Sequence, residues 1–348
     1  MPIPTLPGVE SNMVDTDRIK IHILETGPAG GVPVLFVHGN ASSAAFWEET
    51  MLALPDGYRG IALDLRGYGD TEPLPVDATQ GLGDMAQDVR ALVDALALDG
   101  YHIVGHSMGG GVVMKVAIAR SDDLRSITLV DTMSPYGYGG SRGLDGELLH
   151  EDGAPIGINP DFVRLLAAGE RGDDNPMAPR NVMRQFYFKP PFRPEREEAL
   201  LSSLLSTRTG DDWYPGELVA SDNWPGVAPG KRGILPAFSR KYFDASGLAT
   251  IDPRPPILWI RGADDQIVSD NAMFDLAALG AMGAVPGYPG IDACPPQPML
   301  QQIRAVLERY TENGGAYSEV LIEDAGHTPY IEKPAQFNKA FHTFITAA

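Results

Sequence analysis

Cysteine is almost missing from this chain: Cys294 stands alone among 348 residues. A single thiol excludes an internal disulfide and any metal site built on cysteines. A lone cysteine is more often inert packing or loop filler than a reactive group. Long apolar runs are missing too. None reaches 18 residues, so no segment is expected to span a bilayer. The stretch "MPIPTLPGVESNMVDTDRIK" lacks a basic start followed by an apolar run, which predicts no signal peptide and a cytoplasmic protein. Positive charge is scarce: 7 lysines and 20 arginines face 46 acidic residues, for a net charge of −19. Phosphate binding needs concentrated lysine and arginine, so no nucleic-acid partner is expected. The same field repels anionic substrates and anionic membrane surfaces.

What is present is a rhythm. Short β-branched runs alternate with helical patterns through the first half, which predicts an α/β fold with a mostly parallel sheet flanked by helices. The candidate strands are 18–26, 33–39, 60–67, 101–106 and 126–132, and the run "PVLFVHG" is apolar enough to be covered on both faces. Helical stretches fall at 43–54, 83–98 and 109–121. In the second, Met85, Val89, Leu92, Val93 and Leu96 follow helical spacing and should face the sheet. The rhythm breaks after Asp131 and returns at "PPILWIRGADD" (255–265) and "YSEVLIEDAGHTP" (317–329), before a closing helix at 334–345. One sheet with a long interruption predicts a core of 1–132 and 251–348 with an inserted, mainly helical cap at 133–250, its helices near 161–168, 179–188 and 195–206. A second insertion, 280–300, is too rich in proline and glycine to be regular.

The stretch "VGHSMGGG" (104–111) crowds four glycines around one serine, although glycine in a regular element costs entropy and packs nothing. G-x-S-x-G alone is weak evidence, and its context decides. Here a strand ends at Gly105 and a helix starts just past Ser107. Small residues at such a turn let strand and helix approach, and the strained turn lifts the serine hydroxyl to the carboxyl edge of the sheet. The free N–H groups of the helix start favour a developing oxyanion there. A plain N-cap serine would explain Ser107 but not its flanking glycines.

With these residues in view the chain resembles the α/β-hydrolase fold family, over most of its length apart from the two insertions. "GHSMG" looks like that family's nucleophile elbow, "FVHGN" (36–40) like its oxyanion loop, and "DLRGYGDT" (64–71) like the turn after the next strand. "RGADDQIV" (261–268) and "DAGHTPYIEKP" (324–334) look like its acid and histidine loops, in the family's order of nucleophile, acid, histidine. The resemblance makes Ser107 the nucleophile, His327 the general base and Asp265 its orienting acid, with backbone N–H groups of Asn40 and Met108 as the oxyanion hole. Asp264 and Asp131 are the rival acids. "HGNASS" also resembles haloalkane dehalogenases of this fold, which attack carbon with an aspartate, and Ser107 argues against that chemistry.

No metal or other cofactor is expected, since no histidine has ligand partners at metal spacing. His106, Phe188 and Trp213 are candidate substrate-binding residues, the latter two among the aromatics of 136–242. Arg180, Arg184, Arg193 and Arg196 are candidates for a carboxylate anchor. The expectation is a serine hydrolase acting on an apolar, medium-sized, small-molecule ester or lactone. The alternatives are a proline-iminopeptidase-like aminopeptidase, a carbon–carbon bond hydrolase on the same triad, or a non-catalytic binding protein of the same fold. An aminopeptidase would gather acids such as Glu147, Glu151, Asp173 and Asp174 at the substrate amine.

Overall fold

The apolar runs assemble into one eight-stranded sheet in the computed structural model, which describes residues 3–154 and 157–348. We number its strands β1 (Glu10–Asp15), β2 (Lys20–Thr26), β3 (Val32–Val37), β4 (Tyr58–Leu63), β5 (Tyr101–His106), β6 (Leu124–Val130), β7 (Ile257–Gly262) and β8 (Tyr317–Ile322). Their spatial order is β1-β2-β4-β3-β5-β6-β7-β8. The first two pairings are antiparallel and all others parallel. Val34 to Val37 on β3 are fully buried, as a strand covered on both faces requires.

The helix Gly83–Ala95 turns Met85, Val89, Leu92 and Val93 into the core, while Leu96 caps its end half-buried. The helix Met108–Ala119 packs on β5, and the helix Pro334–Ala347 buries Phe337, Phe341 and Ile345. Because β3 lies between β4 and β5, the chain reverses its direction of travel across the sheet there. Clefts in open α/β sheets form at that reversal, beyond the carboxyl ends of the strands.

Residues between β6 and β7 hold the helices Pro160–Ala167, Pro179–Val182 and Glu197–Leu205, close to the three expected. They are less purely helical than expected. A π-turn at Met183–Tyr187 continues the second helix, and three two-stranded ribbons involve 141–148, 209–215 and 218–229. The 280–300 stretch is irregular from 282 to 298. Among the elements missed by sequence pattern are β1, which is exposed at nearly every position, the short helices Ile234–Phe238 and Leu276–Ala281, and the helix Met299–Glu312. No helix among the described residues is long and apolar enough to cross a membrane.

Candidate active site

β5 ends at His106 and the next helix begins at Met108, leaving Ser107 at φ 55°, ψ −119°. A non-glycine residue holds positive φ only when its surroundings enforce it. The neighbouring glycines do so by letting backbones touch. A Cβ on Gly105 would sit 2.5 Å from the Gly109 carbonyl oxygen, and one on Gly109 only 2.4 Å from that of Val37. A Cβ on Gly110 would strike Thr132 Oγ1 at 2.1 Å. The crowded glycines are therefore clearance for the turn.

Across the cleft, the loops after β7 and β8 meet. His327 Nδ1 lies 2.8 Å from Asp265 Oδ2, with side chains 3 % and 4 % exposed. The other Asp265 oxygen accepts backbone N–H groups from Ile267 (2.7 Å) and Val268 (3.1 Å), which fixes the carboxylate. Asp264 turns outward to Lys189 Nζ at 2.8 Å. Asp131 is buried behind Asp265 and accepts from Gly262 N at 2.9 Å. Ser107 and His327 open onto the same cavity. The serine makes no side-chain bond to its own helix.

The loop after β3 is held from beneath. Leu65 N–H donates to His38 Nε2 (3.0 Å), so Nδ1 carries the proton and donates to Gly39 O (2.7 Å). Burial lowers the His38 pKa and keeps that ring neutral. Tyr68 OH donates to Asn40 Oδ1 at 2.7 Å and fixes the Asn40 side chain. The Asn40 and Met108 N–H groups have no backbone acceptor among the described residues. His106 Nε2 donates to His327 O at 2.7 Å, and burial, reinforced by the His327 ring, holds its pKa well below normal. Sequence reading treated His106 as substrate-binding. It lines the cavity and also pins the histidine loop.

The cavity above Ser107 has a volume of about 420 Å³. Its walls are apolar, with Met133, Phe162, Phe186, Phe238, Phe274 and Leu276 among them. Phe188 and Trp213 are not, which corrects the sequence expectation. Phe188 is 1 % exposed against Phe192, and Trp213 packs over Gly67 with its indole N–H on Leu74 O. Their neighbours Tyr187 and Tyr214 line the cavity instead. Tyr187 OH donates to the Asn40 and Ala41 carbonyls at 3.1 and 3.0 Å, whereas the Tyr214 hydroxyl is influenced by burial alone, with no hydrogen bond to it among the described residues. No Asp, Glu, Lys or Arg among the described residues lines the cavity. Arg180 and Arg184 pair with Glu197, Arg196 pairs with the buried Glu48, and Arg193 bonds Phe192 O, so none is an anchor in the cavity. Glu147 pairs with Arg142 and Asp173 with Arg184.

Asp131, Asp265 and His327 bring potential ligand atoms within 4.8 Å of one another. A cation there would have to displace the direct His327–Asp265 bond, and the set reads as a hydrogen-bonded relay. A second serine–histidine–aspartate string exists: Ser11 Oγ is 2.8 Å from His22 Nε2, and His22 Nδ1 is 2.7 Å from Asp64 Oδ2. Burial disfavours the charged His22 ring, yet the Asp64 bond and charge outweigh it and raise its pKa. Asp64 also ties down Ala44 N and Asp70 N, and the recess beside Ser11 holds only about 30 Å³. That string fastens β1, β2 and the loop after β4.

The chain matches the α/β hydrolase fold family over residues 32–287 and belongs to it. It is 31 % identical over 283 residues to a non-heme chloroperoxidase of Streptomyces lividans, covering 79 % of this chain and 90 % of that protein. It is 38 % identical over 131 residues to a putative carbamate hydrolase, RutD, of Variovorax paradoxus, covering 37 % and 49 %. Among solved structures, a putative aryl esterase from Burkholderia cenocepacia superposes with a TM-score of 0.60 at 19 % identity, over 97 % of this chain and 98 % of that one. An epoxide hydrolase, CorEH, superposes with a TM-score of 0.59 at 18 % identity, over 97 % and 99 %. At these identities the solved structures speak for the fold alone.

Proposed function

We propose that the protein is a serine hydrolase of neutral, largely apolar carboxylic esters or lactones, working through an acyl-enzyme. The observation that carries this reading is the strained Ser107 turn opening, together with the Asp265-bound His327, onto an uncharged cavity. In this reading Ser107 Oγ attacks the substrate carbonyl carbon and its proton passes to His327 Nε2. Asp265 holds Nδ1–H, which fixes the tautomer and stabilises the imidazolium. The carbonyl oxygen gains charge against the Met108 and Asn40 N–H groups, and losing one such donor typically costs about 10²–10³ in turnover. Collapse expels the alcohol, which takes the proton from His327. Water then repeats the sequence and frees the acid.

The segment 133–250 acts as the cap that sets acyl size, since Phe162, Phe186, Tyr187 and Tyr214 all come from it. Aminopeptidase action is disfavoured because no carboxylate among the described residues lines the cavity to receive a substrate ammonium. A panel of p-nitrophenyl esters, lactones and aminoacyl anilides on purified protein tests the reading. Turnover of neutral esters or lactones that Ser107→Ala lowers by about 10⁴–10⁶-fold supports it. Exclusive turnover of aminoacyl anilides, or none of the panel, overturns it.

A further inference from the structure

The residue that follows β6 has no task in the mechanism above. Asp131 sits at φ 40°, a left-handed conformation that a non-glycine residue adopts only under constraint. Its backbone N–H is tied to Ile260 O (2.9 Å) and its Oδ1 accepts Gly262 N–H (2.9 Å), so the side chain is fixed against β7. Its Oδ2 is buried and has no partner among the described residues. A buried acceptor left so is costly.

The nearest acidic group is Asp265, close enough that Asp131, Asp265 and His327 all offer atoms within 4.8 Å of one another. Two carboxylates that near, away from water, do not both ionise. Asp265 accepts from Ile267 N–H, Val268 N–H and the His327 ring, whereas Asp131 accepts only from Gly262 N–H among the described residues. The proton therefore belongs on Asp131. The other groups bearing on it are Glu332, a further acid, and Tyr330.

We propose that Asp131 is a neutral carboxylic acid that donates its Oδ2 proton to Asp265 and so positions the acid–histidine pair. Burial first, and then the Asp265 charge, push the Asp131 carboxyl well above the usual range. The donated hydrogen bond satisfies the orphaned oxygen and locks the carboxylate plane that faces His327. Asp131 is thus a positioning residue, one strand removed from the chemistry. Its catalytic consequence rests on the hydrolase reading, but its protonation does not.

Two measurements on the full chain test this. The first is an infrared difference spectrum, wild type minus Asp131→Asn, near neutral pH. A protonated-carboxyl carbonyl band present only in the wild type is expected, and its absence, with Asp131 ionised, overturns the proposal whether or not any ester is cleaved. The second is the pH–rate profile of three variants. Asp131→Leu should lower kcat on the order of 10- to 100-fold with KM little changed, as lost outer-shell partners do. Asp131→Asn should recover most of that loss, because an amide offers Gly262 an oxygen and Asp265 an N–H. Any alkaline fall in kcat caused by Asp131 ionising should be absent from Asp131→Asn. Asp265→Asn should lose about 10⁴-fold through the wrong histidine tautomer. An Asp131→Asn variant as damaged as Asp265→Asn would make Asp131 the ionised orienting acid. An Asp131→Leu variant within twofold of wild type would make it bystander packing. Either result overturns the proposal.

Discussion

Gly109→Ala adds one methyl group where none fits. Its Cβ would lie 2.4 Å from the Val37 carbonyl oxygen and 2.5 Å from that of His38. Carbon–oxygen contacts are comfortable only from about 3.3 Å outward, so the helix start and the end of β3 must part by about 1 Å. Both obstacles are backbone atoms, and no rotamer change relieves them. The displaced strand end leads directly into Gly39 and Asn40, so the Asn40 N–H moves relative to the Met108 N–H. A misplacement of about 1 Å at reacting groups costs on the order of 10² in rate. Overpacking of this kind costs about 1–3 kcal/mol of stability. The assay is kcat and KM with p-nitrophenyl butyrate beside a calorimetric Tm. The control is Gly30→Ala, where an added Cβ meets nothing within 4 Å. We expect Gly109→Ala to fold with a lowered Tm and a kcat down about 10²-fold, while Gly30→Ala matches wild type. A Gly109→Ala enzyme with wild-type kcat would refute the idea that these glycines hold two N–H groups in catalytic register.

Two further outcomes follow from the same geometry. Tyr214→Phe removes the unpartnered hydroxyl in the cavity, and should lower the kcat/KM ratio of a hydroxylated acyl ester to its deoxy counterpart about tenfold, in line with one lost hydrogen bond; an unchanged ratio would show that the hydroxyl does not read substrate. Burial pushes Glu332 up to about 7 despite its bonds from Gly326 and Lys189 N–H. Its stabilisation is therefore full below the unfolded value near 4.5 and is lost as pH rises through about 7. Glu332→Gln should flatten that part of the urea-midpoint profile, and an unaltered profile would count against it.

Much of this is legible in the sequence. The β5 run and the Ser107 turn carry local signals, apolar runs and crowded glycines, while the acid and histidine loops are marked by their resemblance to the α/β-hydrolase family. What escaped did so for physical reasons. β1 is exposed at an edge and shows no apolar alternation, so pairing with β2 alone makes it a strand. The helix Met299–Glu312 did show its face, since Met299, Ile303, Val306 and Tyr310 are buried at helical spacing, but the proline-rich stretch before it obscured its start. Phe188 and Trp213 were each one residue away from the side chain that lines the cavity. The π-turn at Met183–Tyr187 inserts a residue into the helical count, and Phe188 then leaves in extended backbone, away from the cavity. No local pattern reports such a turn. The Asp131–Asp265 encounter depends on β6 lying beside β7, across an interruption of more than a hundred residues, and pairwise spacing does not encode it.

The central claim is that Ser107 is the nucleophile, and covalent labelling tests it most directly. Purified protein treated with a fluorophosphonate probe should gain one probe mass, mapped by peptide sequencing to Ser107, in step with loss of esterase activity. Ser107→Ala should take up none. A probe mass on Ser11 or any other serine, with Ser107 unmodified and activity gone, would contradict the account.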